Sequence, residues 1–153
     1  MAIFELPTAD RAVAIVVRVL MAAILGGLLG FERELHHKAA GLRTHIVVAV
    51  GAAVFVMVAL ESGSTSADLS RVIQGVATGI GFVGAGTILK PDDREEDVKG
   101  ITTAAGIWLT AAVGMAVGTG HAWLSLLVTG LMIPIVWVAR RIEERFLQHP
   151  RAR

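Results

Sequence analysis

The sequence predicts an all-α integral membrane protein with five transmembrane helices, its N-terminus outside and its C-terminus cytoplasmic. Three observations carry that expectation. Of 153 residues, 54% are hydrophobic and the mean hydropathy is +0.67. The apolar residues come in five long runs rather than in alternating patterns: 13–31 (broken only by Arg18), 46–60, 72–89, 101–117 and 122–139. Each run approaches the roughly 20 residues that a hydrocarbon layer of about 30 Å requires. Finally, the basic residues fall on one side of the predicted spans. Arg33, Lys38 and Arg43 lie between the first two runs, Lys90, Arg94 and Lys99 between the third and fourth, and Arg140, Arg141, Arg145, Arg151 and Arg153 after the fifth. The opposite side holds Arg11 and Arg71. An excess of Lys and Arg marks the cytoplasmic face, and Trp123 and Trp137 bracket the fifth run as an interfacial belt would.

In chain order, residues 1–12 form a short extracytoplasmic segment without the basic stretch and small-residue cleavage site of a signal peptide. Thr8 or Asp10 is placed to cap the first helix. Residues 13–139 make the transmembrane domain, and 140–153 a basic cytoplasmic tail facing anionic lipid heads. Arg18 lies inside the first run, where a charge is either functional or snorkels to the outer headgroups. Glu32, Arg33 and Arg43 sit where helices 1 and 2 leave and re-enter the bilayer, as a salt-bridge network or as a binding site, in a mixed-charge segment that also holds the candidates Glu34 and His45. His36 and His37 are neighbours, so on a helix their rings diverge by about 100° and chelate poorly. The carboxylates Asp92, Asp93, Glu95, Glu96 and Asp97 read as a solvated loop rather than a Mg²⁺ site. With no cysteine there is no disulfide framework and no thiolate site, and no metal or cofactor is expected.

The third run holds Gly75, Gly79, Gly81, Gly84 and Gly86 within twelve residues. In water such a helix would be poor, because each glycine costs about 1 kcal/mol against alanine. In a bilayer small residues let helices approach closely. On a helical wheel Val72, Ile73, Val76, Ile80 and Val83 share one arc, and small residues fill most of the rest. That width predicts a helix in the middle of the bundle, packed by these glycines, with Gln74 and Thr78 as interhelical hydrogen-bonding groups. Gly79, Gly81 and Gly84 also spell G-x-G-x-x-G, but no strand precedes them and no βαβ unit surrounds them. A nucleotide site is not expected, and neither is a nucleic-acid partner.

An internal repeat is visible. Gly41-Leu42-Arg43-Thr44 aligns with Gly100-Ile101-Thr102-Thr103, and the register continues from Ala52-Ala53-Val54 to Ala111-Ala112-Val113. Gly27 and Gly30 answer Gly81 and Gly84. Helices 1–2 and 3–4 then read as parallel copies of one hairpin, with helix 5 added. Gly41 and Gly100 open helices 2 and 4, Thr44 and Thr103 are placed to cap them, and Arg43, His45 and Thr102 flank the openings. The two openings are expected to face one cytoplasmic vestibule, with Glu32 as its counter-charge.

Four motifs stand in order: Gly30-Phe31-Glu32-Arg33-Glu34, Gly41-Leu42-Arg43-Thr44-His45, Gly79-Ile80-Gly81-Phe82-Val83-Gly84-Ala85-Gly86 and Gly100-Ile101-Thr102-Thr103-Ala104-Ala105. Across residues 13–139 the chain resembles the MgtC/SapB family of bacterial inner-membrane proteins. The resemblance implies a role in growth at low Mg²⁺ and, in pathogens, survival inside macrophages. It implies a regulatory contact with the F-type ATP synthase rather than transport of Mg²⁺. Longer family members add a soluble ACT-like domain; this chain stops at Arg153, so roles depending on that domain are not carried over. The expected partners are the bilayer, the F-type ATP synthase or another membrane protein, and a second copy of the chain in a homodimer. The competing class is a small transporter or channel for Mg²⁺, protons or another ion; an enzyme is not expected, since no nucleophile–base set is evident.

Overall fold

The computed structural model describes residues 8–88 and 98–146. They form five helices: α1 (Ala9–Leu35), α2 (Leu42–Glu61), α3 (Ser66–Ala85), α4 (Ile101–Gly118) and α5 (Ala122–Phe146). Each apolar run has become a helix, most of them extended into polar flanks. The expected acidic loop, residues 92–97, lies outside the described residues. Four helices, α1, α2, α4 and α5, are long and apolar enough to cross a membrane. α3 is not among them, because Asp68, Arg71, Gln74 and its glycines dilute Val72, Val76 and Ile80.

α2 and α4 form the centre. They pack on each other, α1 lies along both, and α3 lies along both from the other side; α1 and α3 do not touch among the described residues. Exchanging the two hairpins reproduces this arrangement, because α1 on α2 corresponds to α3 on α4 and α1 on α4 to α3 on α2. One matched pair makes the correspondence concrete. A Cβ built on Gly30 would sit 2.8 Å from the Cβ of His45, and one on Gly84 would sit 3.3 Å from the Cβ of Ala104. His45 and Ala104 occupy the same register position of the repeat. Among the described helices α5 packs against α1 and α4 only.

The core lies where α1, α2 and α4 meet: Ala22, Leu25, Leu29, Ala49, Ala53, Met57, Val113 and Val117 are buried there. Backbones approach closely at Gly26, Gly114 and Gly118. A Cβ on Gly26 would lie 2.7 Å from the Ala49 Cβ and from the His45 carbonyl oxygen. On Gly118 it would lie 2.7 Å from the Ala53 oxygen, and on Gly114 it would collide with the Ala49 oxygen.

The helix expected in the middle is therefore at the edge. Among the described residues Gly75, Gly79 and Gly81 meet nothing within 4 Å, and Gly84 alone among the five is buried. Gly86 approaches only the carbonyls of Val83 and Phe82 in its own helix end. A wide small-residue arc permits close approach but does not attract it. The bulky arc of α3, Val72, Val76, Ile80 and Val83, faces α2 across an apolar groove of about 530 Å³ that Gly75 and Gly79 also line. α3 starts with a capping box: Asp68 N–H donates to Thr65 Oγ1 and Thr65 N–H to the Asp68 carboxylate. Thr8 is the N-cap of α1 by position, without a side-chain bond. Pro134 is accommodated inside α5.

Candidate functional site at the shared end of α1, α2, α4 and α5

The last turn of α1, the first turns of α2 and α4, and the C-terminal half of α5 come together at the Lys- and Arg-rich end of the bundle. Arg33 is 5% exposed, unusual for a residue that seldom leaves water unpaired. Its Nε donates to Glu32 Oε2 at 2.6 Å. The other oxygen of Glu32 faces Arg140 Nη2 of α5 at 3.5 Å and His36 Nε2 at 3.6 Å. One carboxylate thus ties α5 to α1 and holds the buried guanidinium. Both alternatives for this cluster meet here: it is a salt-bridge network, and it borders a cavity.

That cavity has a volume of about 320 Å³ and lies between α1, α4 and α5 with one polar end. Glu32, Arg33, His45 and Thr102 form the polar end; Leu29, Leu109, Met132, Ile133 and Val136 form the rest. His45 is 1% exposed. Its Nδ1 lies 3.0 Å from the Gly41 carbonyl oxygen one turn back, and its Nε2 is buried without a hydrogen-bond partner. Gly106 on α4 passes beneath both basic side chains: a Cβ there would be 3.6 Å from His45 Nε2 and 3.9 Å from Arg33 Cδ.

The helix openings differ from the expected pair of free N-termini. The N-caps are Gly41 and Gly100 themselves, with no side-chain cap bond, and Thr44 and Thr103 lie inside the first turn. Glu34, not Glu32, serves the α2 opening: its Oε2 accepts from the Leu42 amide at 2.8 Å. A Cβ on Gly41 would lie 2.6 Å from that oxygen, so the glycine leaves room for the carboxylate. An internal anion thus already occupies this helix N-terminus. At the second opening Gly100 has φ +99°, and any Cβ there would run into the Thr87 carbonyl. Thr103 is buried and Thr102 exposed.

The single vestibule resolves into two open recesses that share His37, Lys38 and Ala39. One, about 370 Å³, runs to Thr87, Lys99, Gly100, Thr102 and Thr103; the other, about 700 Å³, to Glu34, Gly41, Arg43 and Thr44. Arg43 is exposed and makes no hydrogen bond or ion pair among the described residues. Arg18 is far from this end. Its Nη1 donates to the Gly118 carbonyl at 3.1 Å, a cation at the C-terminus of α4, where the helix dipole favours it. No group of three or more His, Asp or Glu that could hold a metal ion occurs among the described residues.

Arg140, Gly106 and the α5 side of the cavity were not anticipated. Glu32 and Arg140 are 108 positions apart, and nothing local in either stretch signals the pairing. The close approaches did leave a trace: Gly26-x-x-x-Gly30 and Gly114-x-x-x-Gly118 are both small-xxx-small patterns.

Four membrane-length apolar helices around a small-residue core, with the ionic cluster at one end, define a multi-pass helical membrane protein. Its family follows from comparison: a sequence model of the MgtC family matches residues 19–145, and the chain belongs to that family. It is 37% identical over 139 residues to YhiD of Escherichia coli K12, covering 86% of this chain and 63% of that protein. It is 43% identical over 122 residues to SrpB of Synechococcus elongatus, covering 73% and 67%. To MgtC of Brucella abortus it is 46% identical over 125 residues, covering 76% and 50%. The chain thus spans half to two-thirds of the length of these relatives. No solved structure matches it.

Proposed function

We propose that the protein is a non-transporting regulator that supports growth at low Mg²⁺ from the bacterial inner membrane, with its Arg-rich end in the cytoplasm. One observation carries the reading: the bundle is packed through its middle, and its buried polar groups there are mostly spent on backbone. Ala22, Ala49, Ala53, Val113 and Val117 close the interface of α1, α2 and α4. Thr110 Oγ1 donates to the Gly106 carbonyl and Ser125 Oγ to that of Val113. Among the described residues no carboxylate lies between Asp10 and Glu32 of α1, within α2 before Glu61, or anywhere in α4. An ion path across a membrane ordinarily needs such groups.

The exposed recesses around His37, Lys38 and Arg43 are the surface this reading gives to a partner, and the F-type ATP synthase is the partner the family resemblance suggests. Family membership and the name MgtC in the relatives support the link to Mg²⁺. A second reading has one observation in its favour, since YhiD is named as a proposed magnesium transporter.

Purified protein in liposomes loaded with a Mg²⁺-sensitive dye separates the two. No flux above protein-free liposomes is expected, while the same gene rescues a deletion strain at low Mg²⁺. Saturable Mg²⁺ flux would establish the transporter reading instead. Affinity purification from native membranes is expected to recover ATP synthase subunits; their absence under conditions that preserve the synthase would remove that partner.

A further inference from the structure

The geometry points to a binding site for a neutral, hydroxyl-bearing membrane amphiphile in the cavity between α1, α4 and α5. The head hydroxyl donates to His45 Nε2 and accepts from the Arg33 guanidinium, and the hydrocarbon lies along Leu109, Met132 and Ile133.

The state of the His45 imidazole is set by its bond to Gly41. The Gly41 carbonyl can only accept, so Nδ1 carries the ring proton and donates to it at 3.0 Å. In the neutral ring Nε2 is then a lone pair, and it is buried with no donor in reach. Buried polar atoms are rarely left so, and each one calls for a partner. Gly106 of α4, which presents no side chain, lies beside it, and His45 and Gly106 both line the cavity.

The charges select the ligand class. Arg33 opposes a cation at Nε2. Glu32, 2.6 Å from Arg33 Nε, already balances the guanidinium and opposes an anion. A neutral group that both donates and accepts fits the two sides, and a hydroxyl is the smallest that does. Among the described residues the Arg33 side chain makes one hydrogen bond, to Glu32, and so has donors to spare.

Water alone does not fit the remaining space. A buried water needs two to four polar partners, and beyond the polar end the walls are aliphatic. A volume of about 320 Å³ instead lies in the range of pockets that hold small organic ligands. Met132 and Ile133 belong to the apolar stretch of α5, so the occupant enters from the bilayer. A membrane lipid with a free hydroxyl is the source. This site stands or falls independently of whether the protein regulates or transports.

The test uses full-length protein in detergent and a diazirine-bearing dodecanol, with labelled residues read by mass spectrometry. Labelling is expected on α4 and α5 at Leu109, Met132 or Ile133, and plain dodecanol should compete for it better than dodecane. In His45→Asn the shorter amide can still donate to Gly41 but has no acceptor at the Nε2 position. Loss of one such hydrogen bond should weaken dodecanol competition about tenfold.

Gly106→Ala is the second variant. Its Cβ is accommodated at 3.6 and 3.9 Å, so folding is kept while the head position narrows. It too should weaken dodecanol. Three results overturn the proposal: no labelling of the native protein, equal competition by dodecane, or preference for lauric acid, which would make it an anion site at Arg33. Unchanged competition in a folded His45→Asn or Gly106→Ala protein overturns it as well.

Discussion

At the scale of single residues, the Glu32–Arg33 pair decides how the site end is built. Glu32 keeps 16% and Arg33 6% of its side-chain surface exposed, so neither charge is well hydrated. Removing one partner strands the other: Glu32→Gln should destabilise the detergent-solubilised protein by about 3–5 kcal/mol, the usual cost of breaking a buried pair. The double change Glu32→Gln with Arg33→Met should recover most of that loss, because a neutral pair of similar volume removes the desolvation cost as well. Thermal unfolding midpoints of the three variants check this; a double variant no better than the single one would mean the pair acts through something other than charge. Arg43 belongs to a different class. Exposed and without a bonding partner among the described residues, it has no structural task there, so Arg43→Gln should leave the unfolding midpoint unchanged. It should nevertheless abolish rescue of a deletion strain at low Mg²⁺. Full rescue at normal protein level would take the Arg43 recess out of the regulatory surface.

At the scale of helices, glycine has opposite meanings in α4 and α3. Gly114 brings α4 against the Ala49 carbonyl of α2, and an added Cβ has nowhere to go. Gly114→Ala should cost about 1–3 kcal/mol by overpacking, or more if the helices must separate. Gly79 meets nothing within 4 Å, so Gly79→Ala should be neutral or add up to about 1 kcal/mol through helix propensity. Equal loss of thermal stability in the two would return α3 to the interior. The start of α3 adds a pH-dependent element. Hydrogen bonds from the Thr65 hydroxyl and then the Thr65 amide hold the Asp68 carboxyl below its usual value. A lowered carboxyl stabilises the folded end above the ordinary carboxylate pKa, and that contribution is lost as pH falls through the lowered value. Amide protection factors in the first turn of α3, which remove the intrinsic pH dependence of exchange, should therefore fall on acidification, and in Asp68→Asn they should be low throughout and independent of pH in that window.

At the scale of the whole molecule, the distribution of basic residues predicts the orientation of the bundle. The chain has no cysteine, so single cysteines report without background. A cysteine at Ser64, between α2 and α3, should label from outside in intact cells, and one at Lys38, between α1 and α2, should not. Equal labelling of both would rule out an N-outside orientation.

Class, helix number and the two-hairpin plan were legible in the chain itself, because they depend on quantities that add up locally. Run length against bilayer thickness, the sign of charge in each connection, and the match of Gly41-x-x-Thr44 with Gly100-x-x-Thr103 each need only neighbouring residues. The grouping of Glu32, Arg33, Glu34, Gly41 and His45 at one end was legible for the same reason, since one short connection joins α1 to α2. Which helix stands in the middle was not. Glycines on α3 and α4 allow close approach equally, and only the facing surfaces determine that Gly114 meets Ala49 while Gly79 meets open space. The roles within the cluster were also settled in three dimensions. Glu34 rather than a threonine serves the α2 opening, and Arg140 reaches Glu32 from the far end of the chain; outside the cluster, Arg18 donates to the Gly118 carbonyl at the C-terminus of α4. Local sequence sets what a residue is able to pair with; the packing of helices distant in the chain selects, among those partners, the one that comes within reach.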